Sequence, residues 1–218
     1  QVKGADWYFI TPEKQQAFKG KVSFRAQGAA ELWDPITGEI IPLNVERQGE
    51  YASIELDMPK AGSCFVVFNH NKKQQKVEKV ELANTQSIDN KWTVQFPEGW
   101  GAPAELEIET LAPWCELPMS KEGQAFSGSA TYTTTFNWSN ESKEVVLDLG
   151  KVSMIAEVFV NDQKVRTLWC TPYAADITSY LKQGENKLQV KVTSTWFNRL
   201  AYDASLPEAE RKTWTIEG

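Results

Sequence analysis

Carboxylates are the first residues to weigh for chemistry, because 29 of the 218 residues are Asp or Glu. Cutting a glycosidic bond needs one carboxyl that holds a proton and a second that acts as base or nucleophile, about 5–10 Å apart in a sheltered pocket. Glu55, Asp57, Glu105, Glu107 and Glu109 alternate with apolar residues, the spacing of a solvated strand face. Asp176, Asp203 and Glu208 fall in irregular segments, yet no two carboxylates stand out as a pair. The one His, His70, lies in a Lys/Gln/Asn-rich stretch and reads as an exposed loop residue. A single imidazole leaves no room for a His-rich metal site and argues against a His-based triad. No Gly-x-Ser-x-Gly elbow and no phosphate-cradling glycine loop occurs. Cys64, Cys115 and Cys170 are odd in number and far apart, so neither a disulfide framework nor a CxxC zinc site is written, although one long-range disulfide stays open. Cys170 reads as a packed thiol. No cofactor is expected, and no Asp-rich loop marks a structural Ca²⁺, which a jelly roll could still hold.

Aromatic residues are the surplus: nine Trp in this length. A Trp or Tyr ring can cover the C–H face of a pyranose while nearby polar groups take its hydroxyls. Trp33, Trp92, Trp138 and Trp214 fall in or beside strands, where core or inter-sheet packing is expected. Trp100, Trp114, Trp169 and Trp196 fall at strand ends or in loops, where binding or docking is open to them. The run Trp196-Phe197-Asn198-Arg199 sets two aromatics beside an amide and a guanidinium, just after a strand over 187–195.

The elements that must position these residues are strands. Gly, Pro, Asn or Asp punctuates the chain every 8 to 12 residues, with alternating segments between, which predicts an all-β sandwich or barrel. Strands are expected over 6–10, 21–25, 31–33, 52–57 and 64–68, the last a continuous apolar run suited to burial on both faces. Polar stretches at 69–76 and 84–87 both qualify as a domain boundary, and it is placed near residue 84. Beyond it, strands are expected over 92–96, 105–109, 132–138, 145–149, 156–160 and 187–195. Asn161-Asp162 supplies a hairpin turn, since both residue types tolerate positive φ. Two short helical pieces are expected: 177–182, behind Asp176 as N-cap and before the penultimate strand, and a single turn through Arg211 opened by a Ser205-to-Glu208 capping box. This arrangement suggests a jelly roll in the second half.

Composition excludes several function classes. With 41% hydrophobic and 24% charged residues the chain reads as folded, and no stretch suits membrane insertion. Net charge is −6 and no basic run is longer than the Lys72-Lys73 pair, so no positive stripe is present for a nucleic acid or an anionic membrane surface. The chain starts at Gln1 without Met and reads as a processed or excised piece.

Four segments carry a family resemblance: Tyr132-Thr133-Thr134-Thr135-Phe136, Val146-Leu147-Asp148-Leu149-Gly150, 156–162, and 176–186 from Asp176-Ile177-Thr178 to Glu185-Asn186. They resemble the sugar-binding β-sandwich of family-2 glycoside hydrolases, a galactose-binding-like jelly roll. Glu31-Leu32-Trp33-Asp34-Pro35-Ile36-Thr37-Gly38-Glu39, Phe126-Ser127-Gly128-Ser129 and Asn198-Arg199-Leu200 through Thr213-Trp214-Thr215 are similar to the C-terminal region of family-106 enzymes, the α-L-rhamnosidase-like hydrolases. The resemblance implies two tandem β-sandwiches: 1–84 small and immunoglobulin-like, 85–218 the galactose-binding-like jelly roll.

It also implies a function. In such enzymes the catalytic carboxylates belong to an N-terminal barrel, and this chain has no βα repeat to build one, so no catalytic residue carries over. The chain would buttress that missing catalytic domain, periplasmic or extracellular, in a parent acting on plant-type polysaccharide. Trp169, Tyr173, Trp196, Asn198, Arg199 and Asp203 are the candidates for sugar or inter-domain contact, rings stacking and polar groups orienting. Tyr202 stands where the family commonly has Gly, which questions a close backbone approach there. A free-standing carbohydrate-binding module and a protein-interaction module without a glycan role are the alternatives.

Overall fold

Alternating apolar and polar residues become strands here because such a strand buries one face, and the continuous apolar run 64–68 becomes a strand buried on both. The computed structural model describes residues 4–13, 16–77, 84–139 and 144–215, so part of the chain start and the stretch just before residue 84 lie outside it. Packing divides the chain into two units, Gln1–Thr85 and Gln86–Gly218.

The first unit holds β1 (Ala5–Ile10), β2 (Phe18–Arg25), β3 (Ala29–Trp33), β4 (Ile40–Pro42), β5 (Glu46–Gln48), β6 (Tyr51–Met58) and β7 (Cys64–Asn69). They form two antiparallel sheets, ordered β1-β7-β3-β4 and β2-β6-β5. Ala52, Ile54, Leu56 and Met58 of β6 alternate inward and join Val66 and Phe68 of β7 in one core. Tyr8, Phe24 and Phe68 meet there at ring separations of 4.8, 5.4 and 5.9 Å. His70 follows β7, where its Nε2 lies 2.9 Å from Asp6 Oδ2. The polar stretch after it is zipped onto the unit rather than left free: Gln74 Nε2 donates to the Leu43 carbonyl and Asn44 Oδ1 accepts from the Val77 amide.

The second unit holds β8 (Trp92–Gln95), β9 (Glu105–Ile108), α1 (Lys121–Gln124), β10 (Ser129–Trp138), β11 (Val146–Asp148), β12 (Ile155–Val160), β13 (Gln163–Leu168), β14 (Ala174–Asp176), β15 (Gly184–Thr193) and α2 (Phe197–Ala204). Six strands make one sheet, β13-β12-β15-β10-β8-β9, and β11-β14 make a second. Val94, Phe126, Ala156, Val158, Val160 and Leu188 fill the core. The architecture is all-β, as the punctuation pattern predicts.

Two details show why the hairpins close where they do. Asn161 and Asp162 take φ of 51° and 64° and link Val160 to its partner Gln163. Asn186 is fully buried with both ends of its amide used: Nδ2 donates to the Lys182 and Gly184 carbonyls, while Oδ1 accepts from the Lys182 amide and from Asn161 Nδ2. One side chain therefore ties the approach to β15 to the β12–β13 turn.

The short helices differ from expectation. The segment after Asp176 is a single 3-10 turn, Thr178–Tyr180, because Asp176 Oδ1 accepts from both the amide and the hydroxyl of Thr178 and closes a tight turn. It precedes β15, the last strand of the described residues, not a penultimate one. Ser205 does not open a capping box: its hydroxyl donates back to the Tyr202 carbonyl and closes α2, and the next turn, Glu208–Glu210, starts at Pro207.

Asn186→Ala leaves several buried backbone groups without a partner, each costing about 1–3 kcal/mol. Urea unfolding followed by circular dichroism is expected to show a loss of at least about 2 kcal/mol, whereas Glu185→Ala on the exposed neighbour stays within about 0.5 kcal/mol of the parent.

Candidate functional site

Helix α2 turns its polarity inside out. Arg199 and Asp203, one helical turn apart, are 1% and 0% exposed, whereas Phe197 is 73% exposed. Residues four apart share a helix face, so the two charges stack inward together. Arg199 Nη2 lies 2.7 Å from Asp203 Oδ1, and Nη1 donates to Glu122 Oε1 at 3.1 Å. The Oδ1 contact is ionic and off the N–H axis, and Arg199 Nε has no hydrogen-bond partner among the described residues. Aromatic rings flank the guanidinium, with Trp100 at 5.7 Å and Tyr202 at 5.4 Å from its carbon. Trp196 meets Trp100 edge-on at 4.9 Å.

Each neighbour is placed by local structure. Glu122 stands on α1, whose start is capped by Ser120 Oγ accepting from the Gly123 amide. Gly101, at φ +83°, gives Glu122 its room, since a Cβ there would collide with the Glu122 side chain. The chain beyond α2 folds back onto the cluster: Asp203 Oδ2 accepts from the Lys212 and Thr213 amides at 3.1 and 2.7 Å and from the Thr213 hydroxyl at 2.7 Å. Lys212 Nζ lies 2.9 Å from Glu122 Oε1 and donates to the Gly99 carbonyl.

Electrostatics follow from these contacts. Burial pushes the Asp203 carboxyl upward, but the close ion contact with Arg199 and the hydrogen bonds from Thr213 more than reverse this and hold it below the usual carboxylate range. Glu122 is lowered by its hydrogen bonds from Lys212 and Arg199. Burial disfavours the charged guanidinium of Arg199, yet the bonds to Asp203 and Glu122 raise its pKa overall. A glycosidase acid needs the opposite, a carboxyl raised so that it carries a proton at neutral pH. These carboxylates bind a cation and a returning chain, and cannot serve as that acid.

The six candidate residues separate into two segments. Trp196, Asn198, Arg199 and Asp203 come together on α2 and its entrance, Arg199 and Asp203 as buried framework and Asn198 exposed. Trp169 and Tyr173 sit in the β13–β14 connection. Trp169 is exposed, but Tyr173 is buried and its hydroxyl donates to the Met154 carbonyl at 2.6 Å, so its ring packs instead of facing a ligand. Trp114 is likewise core: buried, with Nε1 donating to the Tyr132 hydroxyl at 2.7 Å. Trp214, expected to pack, is 78% exposed. Glu122, Lys212 and Thr213 were not foreseen; the readable signal was Arg199 and Asp203 at i,i+4, which a helical reading would have paired. Position 202 lies inside α2, and the Tyr there packs its ring by Arg199. No group of three or more His, Cys, Asp and Glu able to hold a metal occurs among the described residues.

Residues 120–216 match the family described as glycosyl hydrolase 2 galactose-binding domain-like. Over that span the second unit resembles a galactose-binding-like domain of glycoside hydrolases. The matched span runs from the cap of α1 through β15 and α2, so the ion cluster lies wholly inside or beside this domain. A protein of Formosa agariphila provisionally named as a β-glucuronidase is 42% identical over 127 residues, 56% of this chain and 11% of that protein. The structure of the rhamnosidase from Novosphingobium sp. PP1Y aligns with 99% of this chain and 21% of its own, at 30% identity and a TM-score of 0.89. The chain thus spans about a tenth of the one relative and about a fifth of the other.

Asp203→Asn in the galactose-binding-like domain uncouples the buried guanidinium from its closest carboxylate, and breaking such a pair costs about 3–5 kcal/mol. Because the folded carboxyls of Asp203 and Glu122 bind protons less readily than the unfolded ones, their stabilisation is complete above the unfolded range near pH 4 and is lost as pH falls through the lowered folded values. Thermal melts between pH 7 and pH 2 are expected to show that acid limb in the parent and a shallower one in Asp203→Asn.

Proposed function

We propose that this chain is the non-catalytic β-sandwich portion of a rhamnosidase-like glycoside hydrolase of the family-106 kind. The galactose-binding-like domain braces a catalytic domain of a longer protein, and the first unit serves as a small immunoglobulin-like companion. The parent acts on plant-type polysaccharide outside the cytoplasm, in the periplasm or the medium. The observation that carries this reading is the alignment with the Novosphingobium rhamnosidase, which runs through both units at a TM-score of 0.89 while using only 21% of that enzyme.

The chemistry of the chain supports it. Of the acidic residues that the sequence sets apart from the alternating strands, Asp203 is committed to Arg199 and Asp176 to the Thr178 turn. Glu208 lies exposed on a single helical turn. Asp203 shares its cluster with a second carboxylate, Glu122, but the Arg199 guanidinium bridges the two and occupies the place that a sugar and its attacking water would need.

The test is turnover of an aryl α-L-rhamnoside by the 218-residue chain and, separately, by the protein of the longest reading frame that contains it. Release of the aryl alcohol by the longer protein only is the expected result. Turnover by the short chain that survives repurification overturns the proposal, as does inactivity of the longer protein on every aryl rhamnoside and glucuronide offered.

A further inference from the structure

An antiparallel sandwich ordinarily turns polar side chains to water on its outer faces, but the β1-β7-β3-β4 sheet does not. Its register sets Phe9, Phe65, Trp33 and Ile40 in one row across all four strands, with Trp7 and Glu31 in the next row. At about 4.8 Å between strands such a row is about 14 Å long. Trp7 meets Trp33 edge-on at 4.7 Å, and Phe9 lies tilted 5.2 Å from Phe65. Phe9 is 61% exposed and Trp7 40%.

Glu31 is the member that gives this face its chemistry. It is 93% buried, with Oε2 accepting from Trp33 Nε1 at 3.1 Å and Oε1 from Lys72 Nζ at 2.5 Å. Each carboxylate oxygen can accept two hydrogen bonds, so acceptor capacity is left on both. A groove of about 520 Å³, lined by Glu31, Ile40, Lys72 and Lys73 among others, opens beside it. That volume is within the range of about 300–1,000 Å³ that holds small ligands. The lysines are held there by a pinned segment, since Gln74 Oε1 accepts from the Ala30 amide and Gln74 Nε2 donates to the Leu43 carbonyl.

We propose that this face binds an acidic oligosaccharide of the uronate class, its sugar rings lying on Trp7 and Phe9, a hydroxyl donating to Glu31, and its carboxylate meeting Lys72 and Lys73. A protein surface pressed on the same face would seal an incompletely hydrogen-bonded carboxylate in a dry contact, which is costly. A hydroxyl-rich ligand brings the missing donors. In a chain of net charge −6 the groove carries two lysines against one glutamate, a local excess of positive charge that favours an anion. The saccharide class rests on the glycoside-hydrolase reading; the anion and ring preferences rest on the face itself.

Calorimetry and Trp fluorescence of the 218-residue chain with trigalacturonate, its methyl ester and neutral cellotriose test the site. Saturable binding of trigalacturonate, weakened about tenfold in the ester and about tenfold in Trp7→Ala, Phe9→Ala and Lys73→Glu, is the expected result. Circular dichroism of the three variants should match the parent, because all three side chains are solvent-accessible. Equal affinity for ester and acid, variants that bind like the parent, or no saturation with any of the three sugars overturns the proposal. A concentration-dependent dimer abolished by Trp7→Ala also overturns it and assigns the face to a second copy. Binding by the chain alongside an inactive longer protein keeps this site and removes the hydrolase reading, and the reverse result removes the site alone.

Discussion

A guanidinium held almost entirely out of water is the constraint around which the end of the galactose-binding-like domain is organised. Taking Arg199 from water costs several kcal/mol unless charge and hydrogen bonds replace its hydration. Asp203 and Glu122 supply the charge, and the faces of Trp100 and Tyr202 supply a surface a cation tolerates. The two carboxylates must then be satisfied in turn, which draws in Lys212 and Thr213 and folds the chain after α2 back on the domain. A helix, a capped turn and a returning segment are thus tied to one buried charge.

That commitment has a functional consequence. A carboxylate that anchors a buried cation is held ionised, and an ionised group cannot donate the proton that a leaving sugar oxygen requires. The acidic residues of this aromatic-rich region are here structural, in keeping with the proposal that the sandwich braces a catalytic domain.

Much of the β framework was legible from period-two alternation. Ala156, Val158 and Val160 face inward as their spacing implies, and Asn161-Asp162 turns the hairpin for the expected conformational reason. Helix α2 was not legible, because periodicity searches look for an apolar inner stripe and its inner stripe is Arg199 and Asp203. Trp114 misled in the opposite sense: a loop position said nothing of a ring that inserts into the core and hydrogen-bonds Tyr132. On β1 both faces are apolar, with Trp7 and Phe9 on one side and Tyr8 and Ile10 on the other, so alternation alone could not tell which pair is covered. Only sheet pairing reveals that the first pair looks outward.

The carboxylates gathered at α2 are framework and not proton donors. Side-chain carboxyl NMR titration of Asp203 and Glu122 in the intact chain tests it most directly. Both are predicted to titrate below the ordinary values of about 3.9 and 4.3 and to move together when Arg199 is replaced. A midpoint near 6 or above for either residue would mark a proton-holding acid and contradict the account.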